Sequence, residues 1–357
     1  MPNLHSTCLI LVLLACLASS CRGLSSSAVP QGSLKSRLPP EYIEGLDIRT
    51  IPSSDGHPLT LYSLSSRPPS PASAPLLLLH GRTWSSLPVY NLTPSLSTIK
   101  SFPATVTPYM MDFRGFGLTK PDSSMCVTPE KCAMDVKAAL DWIREYHMRE
   151  LNVQQQEELG GSEGGDCDPC KPSLLGWSQG ALVAHLTAQK YPSHLNKLVL
   201  FGSLYDKSKV YPRSPIFQPN NGDGHSRNLI HRNNTVEETL SDFTVEDSIS
   251  LEVAMKFSKV CMKTDPVKCL WTNLHEFNDL RPAKLTSPTL IIGGRHDPYS
   301  PENKVIDLFV GIEGGDKSWV CLGGSDHASH LLEGVKERWM KAVCGFLEFG
   351  EQCSISG

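Results

Sequence analysis

The run Leu174-Leu175-Gly176-Trp177-Ser178-Gln179-Gly180-Ala181 sets a serine between two glycines, Gly-x-Ser-x-Gly, after a short apolar run and before a helical pattern. In that context a strand stops, turns sharply and feeds a helix, and the serine side chain stands exposed above a sheet as a nucleophile. Gly176 and Gly180 are small where such a turn crowds neighbouring backbone. The helix starting near Gln179 aims its free N–H groups and positive dipole end at the charge that develops during acyl transfer. The chemistry read from these eight residues is attack of a serine oxygen on a carbonyl.

Four further stretches read as strands running into loops. Leu76-Leu77-Leu78-Leu79-His80-Gly81 is a continuous apolar run, as for a buried parallel strand. His80 is expected to shape the following loop through carbonyl contacts and to transfer no proton. The guanidinium of Arg82 either faces solvent or binds an anionic part of a substrate. Tyr109–Thr119 enters a turn with Gly115 and Gly117, but position 120 is Lys, so a G-x-G-x-x-G phosphate cradle fails; Asp112 and Arg114 are expected to pin this loop by local hydrogen bonds. Pro288–Pro298 carries a β-branched run, Gly293-Gly294, then Asp297. Trp319–His327 reads as a last short strand whose loop ends at His327, before a helical Leu331–Phe349 segment.

His-Gly after one strand, Asp-Phe-Arg-Gly-Phe-Gly after the next and Gly-Trp-Ser-Gln-Gly at the elbow, in this order and spacing, resemble the α/β-hydrolase superfamily. The likeness runs over about residues 45–349 and is greatest to its esterase, prolyl-aminopeptidase and epoxide-hydrolase branch. Ser178 disfavours the members with an Asp nucleophile. The resemblance implies an α/β fold: a mostly parallel eight-stranded sheet flanked by helices, with a mainly helical cap insertion. It implies a triad in the order Ser178, Asp297, His327, and an oxyanion hole formed by the backbone N–H groups of Arg82 and Gln179, with His80 and Gly81 supporting the loop. His330 is the rival for His327, and Asp206 the rival for Asp297. Asp326 reads as a turn residue. No cofactor and no metal is implied.

Along the chain, residues 1–23 read as a signal peptide and 24–44 as a linker, itself a candidate for processing. Residues 45–204 and 282–349 form the catalytic core, 205–281 the cap and 350–357 a tail. Asp47–Pro52 and Leu59–Leu64 look like a hairpin around Asp55-Gly56. Met134, Ala138, Leu140, Trp142 and Ile143 mark an amphipathic helix, and Ala181–Tyr191 reads as the helix after the nucleophile. Residues 153–172 read as a surface loop. In the cap, 206–236 reads as irregular, while Leu251–Cys261 and Trp271–Leu280 are more helical.

A chain of 357 residues with 40% apolar and 20% charged residues is enough for one large core. A net charge of −4 with both signs mixed leaves no basic footprint for nucleic acid. Leu9–Ala18 is too short to span a bilayer and, followed by small residues, reads as a secretory signal. The acid-free, Ser-rich stretch that follows, with Arg22, Lys35 and Arg37, also fits a two-part plastid address. The secretory lumen or exterior is the first expectation, and the plastid the alternative.

Cysteine usage fits an oxidising compartment. Cys126 with Cys132, Cys261 with Cys269 and Cys167 with Cys170 are close enough in sequence to pair, while Cys321 and Cys344 read as buried free thiols. Asn91 and Asn233 begin glycosylation sequons. The activity expected is a cofactor-free serine hydrolase acting on a small-molecule carboxylic ester or lactone. The alternatives are an N-terminal, prolyl-type aminopeptidase, for which Glu237, Glu238, Asp242, Glu246 and Asp247 offer acids in the cap, and a non-catalytic ligand-binding member of the fold. No nucleic-acid partner and no membrane span of the mature chain is expected. Oligomeric state is not readable from the chain.

Overall fold

The computed structural model describes residues 38, 40–93, 95–151, 168–214, 232–246 and 248–348. The expected signal peptide and tail, Cys167 and Asp247 lie outside these residues, as do most of the linker and the Gln/Glu-rich loop.

Ten strands are formed: β1 (Leu46–Pro52), β2 (Pro58–Leu64), β3 (Ala74–Leu79), β4 (Val106–Asp112), β5 (Cys126–Val127), β6 (Ser173–Trp177), β7 (Leu198–Phe201), β8 (Leu270–Trp271), β9 (Thr289–Gly294) and β10 (Lys317–Leu322). Eight of them make one sheet in the order β1-β2-β4-β3-β6-β7-β9-β10, while β5 and β8 pair separately. The hairpin β1–β2 is antiparallel around Gly56 at φ 80°, and β2 joins β4 antiparallel. From β4 to β10 every pairing is parallel.

The apolar runs explain the parallel part. Alternate residues of a strand face opposite sides of the sheet. Leu77 and Leu79 of β3 accordingly join one core cluster, and Leu76 and Leu78 the other. A strand buried on both faces therefore reads as an unbroken apolar run. Helices cover each face. On the first lie α3 (Pro129–Glu150), through Ala133, Val136 and Leu140, and α4 (Gln179–Lys190), through Leu182 and Leu186. On the second lie α1 (Ser86–Tyr90), through Leu87, and α8 (Lys336–Glu348), through Trp339 and Val343, while α6 (Leu251–Thr264) joins the same cluster through Phe257 and packs on α1. Because β6, β7, β9 and β10 run the same way, the loops leaving them open at one edge of the sheet. Crevices at the carboxyl edge of an open parallel sheet are where such folds bind ligands.

Between β7 and β9 the chain forms α5 (Val236–Leu240), α6, β8 and a 3₁₀ turn over Leu274–Asp279. Asp265, buried at the end of α6, fastens this segment to the core. Its carboxylate accepts hydrogen bonds from Ser85 N (2.9 Å), Ser85 Oγ (2.8 Å) and Gly117 N (3.0 Å). Burial pushes its pKa up.

Several expectations need correction. The last helix begins at Lys336 and not at Leu331, because Gly334 takes a left-handed φ of 72° that no continuous helix admits. The Trp271–Leu280 stretch is helical only over Leu274–Asp279. Trp271 is drawn into a strand beside Val127, and Asn273 at φ 53° breaks the run. Among the described residues the cysteines are unpaired. Cys261 packs in the core on one face of the sheet, whereas Cys269 lies against the core of the other and gives its thiol hydrogen to Gly115 O (2.8 Å), so the two cannot meet. Cys132 turns into the core from α3, while Cys126 lies on β5 opposite Leu270. Cys170 is buried without a disulfide. Cys321 is exposed on the edge strand and Cys344 half-buried, so neither is a core thiol. Asn91 is buried, its amide nitrogen donating to Tyr42 O (2.8 Å) and its oxygen accepting from Ser97 Oγ (2.6 Å), which leaves no room for a glycan; Asn233 is exposed.

Arg114 and Asp112 act over longer range than a local pin. Arg114, 2% exposed, bonds Asp135 through both Nε (2.7 Å) and Nη2 (2.6 Å) and reaches Asp55 in the β1–β2 turn (2.7 Å). Asp112 accepts from Tyr62 Oη (2.5 Å), Ser86 N (2.9 Å) and Leu118 N (3.0 Å), and its burial pushes the pKa up to about 6.

Candidate active site

Ser178 sits between β6 and α4 at φ 60°, ψ −123°, a conformation that costs a non-glycine residue about 1–3 kcal/mol. Two hydrogen bonds hold it there, Ser178 N to Phe201 O (2.9 Å) and Ala181 N to Ser178 O (3.0 Å). Its neighbours must be glycines. A Cβ on Gly176 would stand 2.2 Å from Gly180 O, and one on Gly180 2.2 Å from His80 O. Although Ser178 occupies the N-cap of α4, its side chain makes no capping bond, so the hydroxyl is uncommitted.

Two other loops meet at the same edge. His327 Nδ1 and Asp297 Oδ2 are 2.7 Å apart, with both side chains buried. Asp297 also accepts from Tyr299 N (2.9 Å) and Ser300 N (3.1 Å), which leaves its carboxylate aimed at the ring. Burial alone would lower the imidazole pKa; the facing Asp297 carboxylate outweighs it, and the net shift is upward. Nδ1 is therefore the donor to Asp297, and Nε2, without a partner among the described residues, is the open nitrogen.

Trp177 and Gly202 tie these loops to Ser178. The Trp177 indole donates to His327 O (2.8 Å), and its ring lies 5.2 Å from the imidazole. Gly202 follows Phe201, whose carbonyl holds Ser178; a Cβ there would meet His327 Nδ1 at 3.1 Å and Asp297 Oδ2 at 3.3 Å. The structure thus brings Ser178, His327 and Asp297 to one edge of the sheet.

On the other side of Ser178, a Cβ on Gly81 would approach Ser178 Cβ to 3.2 Å, so the His80-Gly81 backbone runs directly past the serine. His80 Nε2 accepts from Phe113 N (3.1 Å) and Nδ1 donates to Gly81 O (2.9 Å), fixing one tautomer. Burial pulls its pKa down to about 3, so it is neutral and carries no mobile proton near neutrality. The backbone N–H groups of Arg82 and Gln179 have no acceptor among the described residues. The Arg82 side chain folds back over the start of α4, where Nε donates to Gln179 Oε1 at 2.5 Å.

The rival residues are engaged elsewhere. His330 donates through Nε2 to Val89 O (2.9 Å), and burial lowers its pKa to about 3. Asp206 accepts from Ser208 and from Lys304 Nζ (2.8 Å). Asp326 does more than form a turn: one oxygen accepts from Thr244 N (2.7 Å) and Val245 N (3.1 Å), binding the segment between β7 and β9 to the residue beside His327. Of the acids in that segment, Glu238 closes a capping box on α5 and pairs with Lys268, and Glu237 and Glu246 are exposed. Half-buried Asp242 faces the His327 loop. Burial and then the Asp297 and Asp326 carboxylates push its pKa up to about 6, against the pull of His327.

Gly202 and Tyr299 are residues that reading the sequence missed. Tyr299 stands edge-on to His327 at 4.9 Å, and its hydroxyl reaches Ser241 O (3.1 Å). The only trace of Gly202 in the sequence is its place right after the Leu198–Phe201 run. Among the described residues no group of three or more His, Cys, Asp or Glu side chains is placed to hold a metal, and no helix is long and apolar enough to cross a membrane.

Residues 70–333 match the family described as serine aminopeptidase, S33. The chain is 29% identical over 161 residues to the 2-hydroxy-6-oxononadienedioate/2-hydroxy-6-oxononatrienedioate hydrolase of Escherichia coli K12, covering 42% of this chain and 54% of that protein. It thus spans about half the length of the curated relatives it matches. Among solved structures, an esterase from Thermogutta terrifontis superposes with a TM-score of 0.55 at 18% identity, over 84% of this chain and 98% of that one. The meta-cleavage product hydrolase of Pseudomonas fluorescens IP01 does so with 0.52 at 15% identity, over 84% and 97%. These two share the fold.

Proposed function

The chain belongs to the serine aminopeptidase S33 family of α/β-hydrolases, and on that premise we propose that it cleaves a carboxylic ester or lactone through an acyl-enzyme on Ser178. The observation that carries this is the buried Asp297–His327 pair at the sheet edge that holds the strained, uncommitted Ser178. Ser178 Oγ attacks the carbonyl carbon while His327 Nε2 takes its proton. Asp297 holds the ring in the Nδ1–H tautomer and stabilises the imidazolium. The oxyanion is met by the backbone N–H groups of Arg82 and Gln179, with the N-terminal end of α4 behind the latter. The imidazolium then protonates the departing alcohol oxygen. A water molecule, deprotonated by His327, hydrolyses the acyl-enzyme and restores Ser178.

A second reading, removal of an N-terminal residue, is favoured by Asp242, whose carboxyl faces the His327 loop from the segment above the sheet edge. A substrate ammonium bound there would pair with the charged carboxylate and lower its pKa again.

The test is labelling of the purified protein by a fluorophosphonate with Ser178→Ala as control, then p-nitrophenyl esters of increasing chain length beside a Pro-anilide. Labelling that disappears in Ser178→Ala, with turnover of esters over the anilide, is the expected result. Turnover of the anilide alone selects the aminopeptidase reading. A folded protein that takes no label refutes the nucleophile and leaves ligand binding as its role.

A further inference from the structure

Arg82 carries a charge that nothing around it answers. Its guanidinium is half-buried, and burial pulls its pKa down. Among the described residues no carboxylate lies within 4 Å of it, and its one side-chain hydrogen bond runs from Nε to the neutral Gln179 Oε1. The groups that face it offer no acid. The groups whose charge would act on it are the phenols of Tyr211 and Tyr299. Lys209, whose ammonium lies 4.6 Å from the Tyr211 ring centroid, adds a second positive charge that Arg82 itself disfavours. Asp206, the acid that acts on Lys209 and Tyr211, is held by Lys304 and Ser208.

Gln179 supplies an independent observation. Its side chain is 1% exposed, Oε1 is taken by Arg82, and Nε2 is a buried donor with no acceptor. Leaving such a donor unpaired is costly, because it gives up its hydrogen bonds to water and gains none in return. Native structures seldom tolerate this unless a ligand or water completes the bond. The outer nitrogens of Arg82 and Nε2 of Gln179, the residue after Ser178, therefore form a set of donors without an acceptor.

We propose that this Arg82–Gln179 pair is a carboxylate-binding subsite, and that the substrate carries a carboxylate close to the carbonyl that Ser178 attacks. The inference rests on the hydrolase reading above for the word substrate, but the subsite exists independently of which group is the nucleophile. Arg82 thus takes two roles: its backbone N–H serves the oxyanion, and its guanidinium selects the substrate. A planar guanidinium presents paired donors that match the two oxygens of a carboxylate. Gln179 Nε2 gives the third bond, and the fixed Nε–Oε1 contact holds the fork in place.

The experiment compares p-nitrophenyl hemiglutarate, the half-ester with a free carboxylate, with the uncharged p-nitrophenyl pentanoate. It uses the full-length protein and the variants Arg82→Met, Arg82→Lys and Gln179→Glu. The readout is the ratio of kcat/KM for the two esters, in which any general loss of activity cancels. The wild type is expected to prefer the half-ester. Arg82→Met should lower the ratio by roughly tenfold to hundredfold, the range for a hydrogen bond to a charged group. Arg82→Lys should keep part of it. Gln179→Glu gives Arg82 an internal carboxylate of nearly unchanged shape and should abolish the preference. A wild-type ratio at or below one, or a ratio untouched by Arg82→Met and Gln179→Glu, overturns the proposal and leaves Arg82 as a brace for Gln179.

A binding arm separates this failure from failure of the hydrolase reading. Calorimetry of monomethyl glutarate with Ser178→Ala should show binding that Gln179→Glu in the same background removes, whatever Ser178 does. Should Arg82→Met fail to fold, Gln179→Glu and this titration decide the matter.

Discussion

Replacing Gly202 by alanine tests the spacing on which the proposed chemistry depends. Gly202 sits at φ 53°, where an L-residue is disfavoured by about 1–2 kcal/mol. The new methyl would stand 3.1 Å from both Cε1 and Nδ1 of His327 and 3.3 Å from Asp297 Oδ2, so the imidazole or the carboxylate must yield by a few tenths of an ångström. The backbone term alone predicts a Tm lower by roughly 1–3 °C for a chain of this size. The displacement acts on the 2.7 Å Asp297–His327 hydrogen bond. Because a shift of about 1 Å can cost on the order of a hundredfold in rate, a fraction of it should lower kcat/KM by about tenfold. Thermal unfolding and p-nitrophenyl ester kinetics measure the two effects separately. Gly323→Ala is the control, since its Cβ meets nothing within 4 Å. A folded Gly202→Ala enzyme with kcat/KM within twofold of wild type would refute the reasoning, because the pair it crowds would then have no part in turnover.

The facing Asp297 charge favours the imidazolium and raises the His327 pKa above its ordinary 6.5, so kcat/KM should rise with pH through an inflection above that value as the neutral base appears. Asp297→Asn should move the inflection down and reduce kcat by up to about 10⁴-fold, as at other triads; an unmoved inflection assigns it to another group. Arg114→Met leaves the buried Asp135 carboxylate without its partner and should cost about 3–5 kcal/mol in chemical denaturation, with no restoration by lysine, which cannot make the paired Nε and Nη2 bonds. Asp326→Ala removes the acceptor for Thr244 N and Val245 N and should destabilise the protein by about 1–3 kcal/mol. Its KM should rise more than its kcat falls, because the segment over the site is released while Ser178 stays in place; an unchanged KM would show that this anchor does not shape the pocket.

What the chain determined by itself is local. An unbroken leucine run states that β3 is buried on both faces, and Gly-Trp-Ser-Gln-Gly states a crowded turn between strand and helix, because both depend on residues adjacent in sequence. The order of the three proposed triad residues was likewise legible, since each follows its own strand. Contacts between loops far apart in sequence were not. Gly202 is a spacer only because β7 lies between β6 and β9, so its backbone passes under His327 and Asp297. Asp326 reads as a turn, and its hold on Thr244 and Val245 depends on how the intervening segment folds back over the sheet edge. Cysteines eight apart look ready to pair, yet Cys261 and Cys269 end against opposite faces of the sheet. The unanswered charge of Arg82 is tertiary for the same reason: a sequence shows which charges a chain carries, while only the packing of separate loops decides which of them stand without a partner.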